Sequence, residues 1–310
     1  MRVVAAAAPC IPVGVRAECT VEEVERLAAF VRRHAGRLVV LSGAGISTEP
    51  PAGIPDYRSN AHARPVHKPI TDSEFMKLPA KRQRYWARSC IGYERVRQAR
   101  PNAAHFALTA LHRGGWSGLH HVTQNVDGLM QQAHLPDAEL LELHGSVHYA
   151  QCLHCGERVS RAVLQEHMMT ANAQWLASVT AKYADHLARP DGDARLDEHD
   201  IVSFVVPRCG ACGKGGTLKP GVVFFGGSVP AHVKERAAAQ MRQASAVLVV
   251  GSTLTTYSAF GLVKSLLKEK PNAGVAILTS GPTRADSLST LKIEALIGNT
   301  LARVLHAVSG

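Results

Sequence analysis

Apolar residues along this chain fall into two patterns, one with the period of a helix and one of unbroken runs. Val21, Val24, Leu27, Ala28 and Val31 recur three or four apart, just after Thr20 and Glu23. Together they predict a capped helix that stops at Gly36. Leu38–Leu41, Ala246–Val250 and Gly274–Thr279 are continuous apolar runs, as expected of strands buried on both faces of a parallel sheet. Leu119–Val122 and Leu140–Leu143 read as two shorter strands, and Pro101-Asn102 opens a helix through Ala104, Leu108 and Leu111 that ends at Gly114-Gly115. Helices alternating with strands predict an α/β protein, a Rossmann-like parallel sheet with helices on both faces.

The polar residues gather where these strands end. Gly43 and Gly45 follow the first run at once, letting the backbone turn and a pyrophosphate approach peptide N–H groups. A dehydrogenase fingerprint would want a third glycine where Thr48 stands, so hydride transfer begins with a mismatch. Asp56-Tyr57-Arg58 lies just beyond, where Arg58 suits a phosphate and Asp56 a cofactor hydroxyl or amide. The second strand runs into Thr123-Gln124-Asn125-Val126-Asp127-Gly128 and the third into His144-Gly145. In open α/β sheets ligands sit outside the carboxyl ends of strands, and a histidine there can act as a base near neutral pH.

Composition narrows the choice of partners. The 310 residues carry a net charge of +10 and are 46% hydrophobic, enough for a large domain plus a small one and favourable to acidic partners. No apolar run approaches the roughly 20 residues that span a bilayer, so no membrane role is expected. Arginine-rich 81–100 is helix-compatible, its charges either a solvated face or a positive wall beside a pocket. Of seven cysteines, four form the pairs Cys152-x-x-Cys155 and Cys209-x-x-Cys212. Four thiolates complete a tetrahedral zinc shell, which makes the metal structural rather than catalytic. A nucleic-acid zinc ribbon is the alternative, although the basic residues show no recognition-helix pattern and no specific nucleic acid is expected. Residues 1–17 hold Arg2, Arg16 and no acid, which leaves a mitochondrial targeting segment and a disordered bacterial-type N-terminus as alternatives.

Taken in order, GAGIS with GIPDYR, TQNVDG, LHG and the paired CxxC motifs resemble the sirtuins, the NAD-dependent protein-lysine deacylases. LKPGVVFFG (218–226) and VVGSTL (249–254) extend the resemblance to nearly everything from Glu22 onward. RQRYWAR (82–88), PDGDARL (190–196) and GPTRAD (281–286) look most like the class II branch that holds a mitochondrial lipoamidase and ADP-ribosyltransferase.

The resemblance implies a reaction in which NAD is consumed. His144, Asn125 and Asp127 would be catalytic, His144 as the base that deprotonates a ribose hydroxyl. The acyl group of a protein lysine would pass to ADP-ribose, with nicotinamide released. NAD would lie on Gly43, Ala44, Gly45, Ile46, Ser47, Asp56, Tyr57, Arg58, Gln124, Asn125, Val126, Asp127, Gly251, Ser252, Thr253, Thr279, Ser280, Gly281 and Ile297. An acyl-lysine protein would pair as an added strand between Gly221–Gly227 and Thr255–Ser258. Residues 18–150 and 214–310 would form the NAD-binding domain, and 151–213 a small zinc-binding domain with a long insert. A monomer in the mitochondrial matrix is expected, with the cytoplasm as the alternative compartment. Mono-ADP-ribosyl transfer from the same site, and a low-turnover NAD or ADP-ribose-binding regulator, remain the competing functions.

Three positions depart from the family pattern. TEPPA lengthens the loop between Ser47 and Gly53, Gly227 stands where an acid is usual after FFG, and Thr279 replaces a common asparagine.

Overall fold

The computed structural model describes residues 16, 18–56, 69–182, 196–213 and 215–310. Tyr57 and Arg58, the N-terminal segment apart from Arg16, and most of PDGDARL lie outside the described residues.

Six strands build the main sheet: β1 (Leu38–Ser42), β2 (His121–Thr123), β3 (Leu140–Glu142), β7 (Ala246–Val250), β8 (Gly274–Leu278) and β9 (Leu291–Ile293). Three more, β4 (Gly145–Cys152), β5 (Arg158–Ser160) and β6 (Leu218–Val222), form a separate sheet in the order β5-β4-β6. The main sheet runs β3-β2-β1-β7-β8-β9 with every pairing parallel. This is the doubly wound dinucleotide order, and its reversal falls between β1 and β7. Leu38 to Ser42 stand opposite Ala246 to Val250 without a slip. All five residues of β1, β7 and β8 are buried, because helices cover both faces.

One face is covered by α1 (Val21–Arg33), α4 (Ala103–Arg113) and α11 (Ile297–Ser309). They pack Val24, Leu27, Leu108, Leu111, Leu301 and Val304 against Val40, Leu248 and Leu278. The other is covered by α9 (Ala231–Gln243) and α10 (Tyr257–Glu269), which set Met241, Val263 and Leu266 against Val39, Val249 and Ile277. Thr20 caps α1 through the expected box with Glu23. Val21, placed by periodicity on the inner face, is in the first turn and 70% exposed.

The small sheet has its own core. Between the large-sheet elements run α2 (Asp72–Lys77), α3 (Pro79–Gln98), the short α5 (Leu129–Gln132), α6 (Arg161–Ala171), α7 (Ala173–Lys182) and α8 (Glu198–Val202). Trp86 and Cys90 of α3 pack with Leu164 and Met168 of α6, Trp175 of α7, Phe204 and Leu218. Helices α6 and α7 are separated at Asn172, whose side chain also donates to the Met168 and Val205 carbonyls and accepts from Val205 N–H.

The basic residues of α3 divide, with Arg97 exposed and paired along its own helix with Glu94 while others reach neighbouring segments. Arg82 donates to the carbonyls of Phe75 and Met76, Arg84 pairs with Glu198, and Arg95 donates to Gly53. These three tie neighbouring segments to the helix.

Candidate active site

The loops leaving β1 and β7 meet at the switch point. Gly43 N–H donates to Val250 and Gly45 N–H to Gly251. A Cβ on Gly45 would lie 2.7 Å from the Gly251 Cα, and one on Gly43 2.7 Å from the Ser252 Cβ. Close approach of two backbones, rather than a left-handed turn, is therefore what demands these glycines. Gly251 itself sits at φ +62. Ala44–Ser47 then forms one 3-10 turn with Ile46 and Ser47 buried.

Asn102 latches this turn from outside. As N-cap of α4 its side-chain oxygen accepts from Ala104, while its amide donates to Ile46 and Glu49 carbonyls at 2.8 and 2.9 Å. Glu49, in the lengthened TEPPA loop, puts its carboxylate on the N–H groups of Ile297 (2.6 Å) and Gly298. An acid at a helix start is favourable. The Ile297 N–H is thus engaged by Glu49 within the protein, and its side chain is buried.

Ser47, Asn125 and Asp127 are brought together. Ser47 Oγ donates to Asp127 Oδ2 at 2.8 Å and accepts from Asn125 Nδ2 at 3.1 Å. Leu129 N–H holds the other carboxylate oxygen of Asp127. Buried His105 reaches Ser47 with Nε2 at 3.4 Å, and burial lowers its pKa to about 4, so it is a neutral partner. His148 donates from Nε2 to the Asp127 carbonyl at 2.7 Å. Periodicity gave no hint of either histidine, since each meets the cluster only through folding. Val126 contributes its carbonyl to Val147 N–H.

His144 projects from the end of β3. Its Nδ1 lies 3.1 Å from the Gln124 carbonyl, which can only accept, so Nδ1 carries the proton. Nε2 is then a lone pair, and Ser258 Oγ donates to it at 2.8 Å. Burial lowers the His144 pKa, with the Gln124 carbonyl opposing the shift. Gln124 also donates to Ser42 and, at 2.7 Å, to Ser252. Thr253, Thr279, Ser280 and Gly281 follow on the same rim: Thr279 N–H bonds Ile293 and Gly281 turns at φ +72. Asp56 ends the described part of the β1 loop and is half-buried.

The end of β6 lies against His144. Val223 N–H donates to the His144 carbonyl and Asp72 N–H to the Phe225 carbonyl. Phe224 is buried against Phe75 and Tyr85, whereas Phe225 is 52% exposed. Beside Gly227, where a Cβ would touch Asp72, the Asp72 carboxylate pairs with Lys219 at 2.5 Å. The acid missing at 227 is replaced in space by one from α2.

This arrangement is that of a known group, for the Sir2 family description matches residues 43–258. The chain belongs to the Sir2 family. It is 42% identical over 288 residues to the "NAD-dependent protein deacylase SIR4" of Monosiga brevicollis, covering 92% of this chain and 89% of that one. It is 41% identical to the "NAD-dependent protein lipoamidase sirtuin-4, mitochondrial" of Bos taurus, over 90% of this chain and 85% of that one. A solved Sir2 enzyme, described under "Structural Basis for the Mechanism and Regulation of Sir2 Enzymes", superposes with a TM-score of 0.68 at 28% identity, covering 94% and 99%.

A four-cysteine cluster completes this family member. Cys152, Cys155, Cys209 and Cys212 place their sulfurs within 4.8 Å of one another, Cys155 and Cys209 3.8 Å apart. A tetrahedron with Zn–S bonds of about 2.3 Å has edges of about 3.8 Å. N–H groups of His154 and Gly216 point at the Cys152 and Cys212 sulfurs at 3.4 Å, as suits thiolates. The donor set fits zinc and, with four ligands, leaves no open position.

Proposed function

We propose that the protein is an NAD-dependent protein-lysine deacylase that transfers the acyl group to ADP-ribose and releases nicotinamide, with one structural zinc held by the four cysteines. The observation that carries this reading is His144: neutral, half-buried, proton fixed on Nδ1, and Nε2 already engaged by a hydroxyl. A ribose hydroxyl taking the place of Ser258 Oγ would lose its proton to the same lone pair. NAD is a substrate here, supplying the electrophilic ribose carbon. Gly43–Ser47, at the sheet's switch point, would hold its pyrophosphate. Asn125 and Asp127, fixed through Ser47, would orient the nicotinamide end, and Gln124 with Ser252 the adjoining ribose.

The Bos taurus relative's name favours a lipoyl or related acyl group and a mitochondrial location, and we take the protein to act there as a monomer on acyl-lysine proteins. The division into an NAD-binding part, 18–150 with 214–310, and a small zinc-binding part, 151–213, belongs to the same reading.

Incubating the protein with NAD and lysine peptides from acetyl to lipoyl, read by mass spectrometry, tests it. O-acyl-ADP-ribose should appear and fall about 10²- to 10⁴-fold in His144→Ala, the usual range for losing a general base. Because the His144 pKa is lowered, kcat/KM should climb with pH only below 6.5 and be flat above it. ADP-ribose on protein without any deacylated peptide would make transferase the better name.

A further inference from the structure

Arg284, in the loop after β8, is held like a recognition group. Its guanidinium carbon lies 4.6 Å from the centre of the Tyr257 ring and 4.5 Å from that of Phe260. Aromatic contacts of this kind leave the N–H edges to seek acceptors in the plane. The one side-chain bond of Arg284 among the described residues is a long 3.5 Å contact to the Thr255 carbonyl. Asp286, the nearest acid in sequence, is occupied by Thr283 and by Lys292 at 2.8 Å. The backbone beneath is braced, with Arg284 N–H on Thr253 and Ala285 N–H on Thr283 Oγ. Tyr257 is 82% exposed, an unusual place for a large aromatic.

The location gives this cation a use. Tyr257 immediately precedes Ser258, whose hydroxyl touches His144 Nε2. On the deacylase reading the substrate pairs along Thr255–Ser258, the segment whose Thr255 carbonyl and Tyr257 ring Arg284 contacts. We propose that Arg284, clamped by Tyr257 and Phe260, reads an anionic side chain within a few residues of the acyl-lysine in the substrate. The proposal rests on the deacylase reading. The net charge of +10 is consistent with acidic substrates, and a stacked guanidinium gives up less freedom on pairing than a loose lysine would.

Peptides sharing one acyl-lysine, with Asp or Glu, phosphoserine, Gln, or Lys at the flanking positions, are compared by kcat/KM in the wild type, Arg284→Glu and Tyr257→Ala. The ratio of acidic to neutral peptide within each protein cancels any general loss of activity. In the wild type it should be about three- to fivefold, the scale of a partly exposed charge pair, and expressed in KM. Arg284→Glu should reverse it in favour of the Lys peptide, and Tyr257→Ala should reduce it. A larger ratio for phosphoserine than for Asp and Glu would mark phosphorylated segments as the source of the anion. Turnover with the same ratio in wild type and Arg284→Glu overturns the proposal alone. No turnover of any acyl peptide sinks the deacylase reading and the proposal with it.

Discussion

The two sheets of this protein are stabilised in opposite ways. In the six-stranded sheet β1, β7 and β8 are buried along their whole length under helices on both faces. The three-stranded sheet exposes alternate residues of β5 and pairs β4 with β6 through an irregular register between Gly145 and Ala150. Its core is a modest cluster around Trp86, Trp175 and Phe204, joined to four thiol side chains. A sheet with two covered faces is held by its core, while a small sheet needs a staple. Both end at the same histidine, since β6 runs into Val223 beside the His144 carbonyl.

Removing the staple should separate the two most sharply. Structural zinc in small modules is worth about 10–16 kcal/mol at neutral pH, so strong chelation or Cys209→Ser should strip amide protection from β4, β5 and β6. Hydrogen exchange should show β1, β7 and β8 still protected. Equal loss in both sheets would mean that the large sheet depends on the small one. A smaller effect runs the other way: Gly45→Ala forces a Cβ to within 2.7 Å of Gly251, an overpacking that typically costs about 1–3 kcal/mol. It should lower the denaturation midpoint and weaken NAD binding by calorimetry with the metal retained. Smallest is Asn102→Ala, which removes a helix cap and the two bonds to the β1 loop. A loss of about 1 kcal/mol in urea unfolding is expected from the cap, together with a raised KM for NAD, and no change in KM would limit Asn102 to the helix.

Much of the large sheet was legible because its signal is local. Unbroken apolar runs give β1, β7 and β8 within a residue of their observed ends, and Gly43, Gln124 and His144 stand where those runs and their neighbours stop. The cysteine spacing likewise announces its own cluster. Other features depend on contacts between distant segments. Nothing near Glu49 in sequence tells that it caps a helix starting at Ile297, nor does the sequence around Asp72 show that it fills the space beside Gly227. His105 and His148 look like ordinary helix and strand residues until folding sets them against Ser47 and Asp127. The arginines of α3 were ambiguous for the same reason, because a charge pattern does not reveal which carbonyls will be within reach.

The pairing of β1 with β7 has a consequence for how the chain matures. Leu38 meets Ala246 across an interval that contains the whole of the small sheet. During synthesis from the N-terminus, one edge of β1 therefore stays without its partner until residues 246–250 have emerged. Such distant pairings slow folding and leave a bare apolar strand open to wrong neighbours. The protein is most vulnerable to aggregation in the interval before residues 246–250 are made.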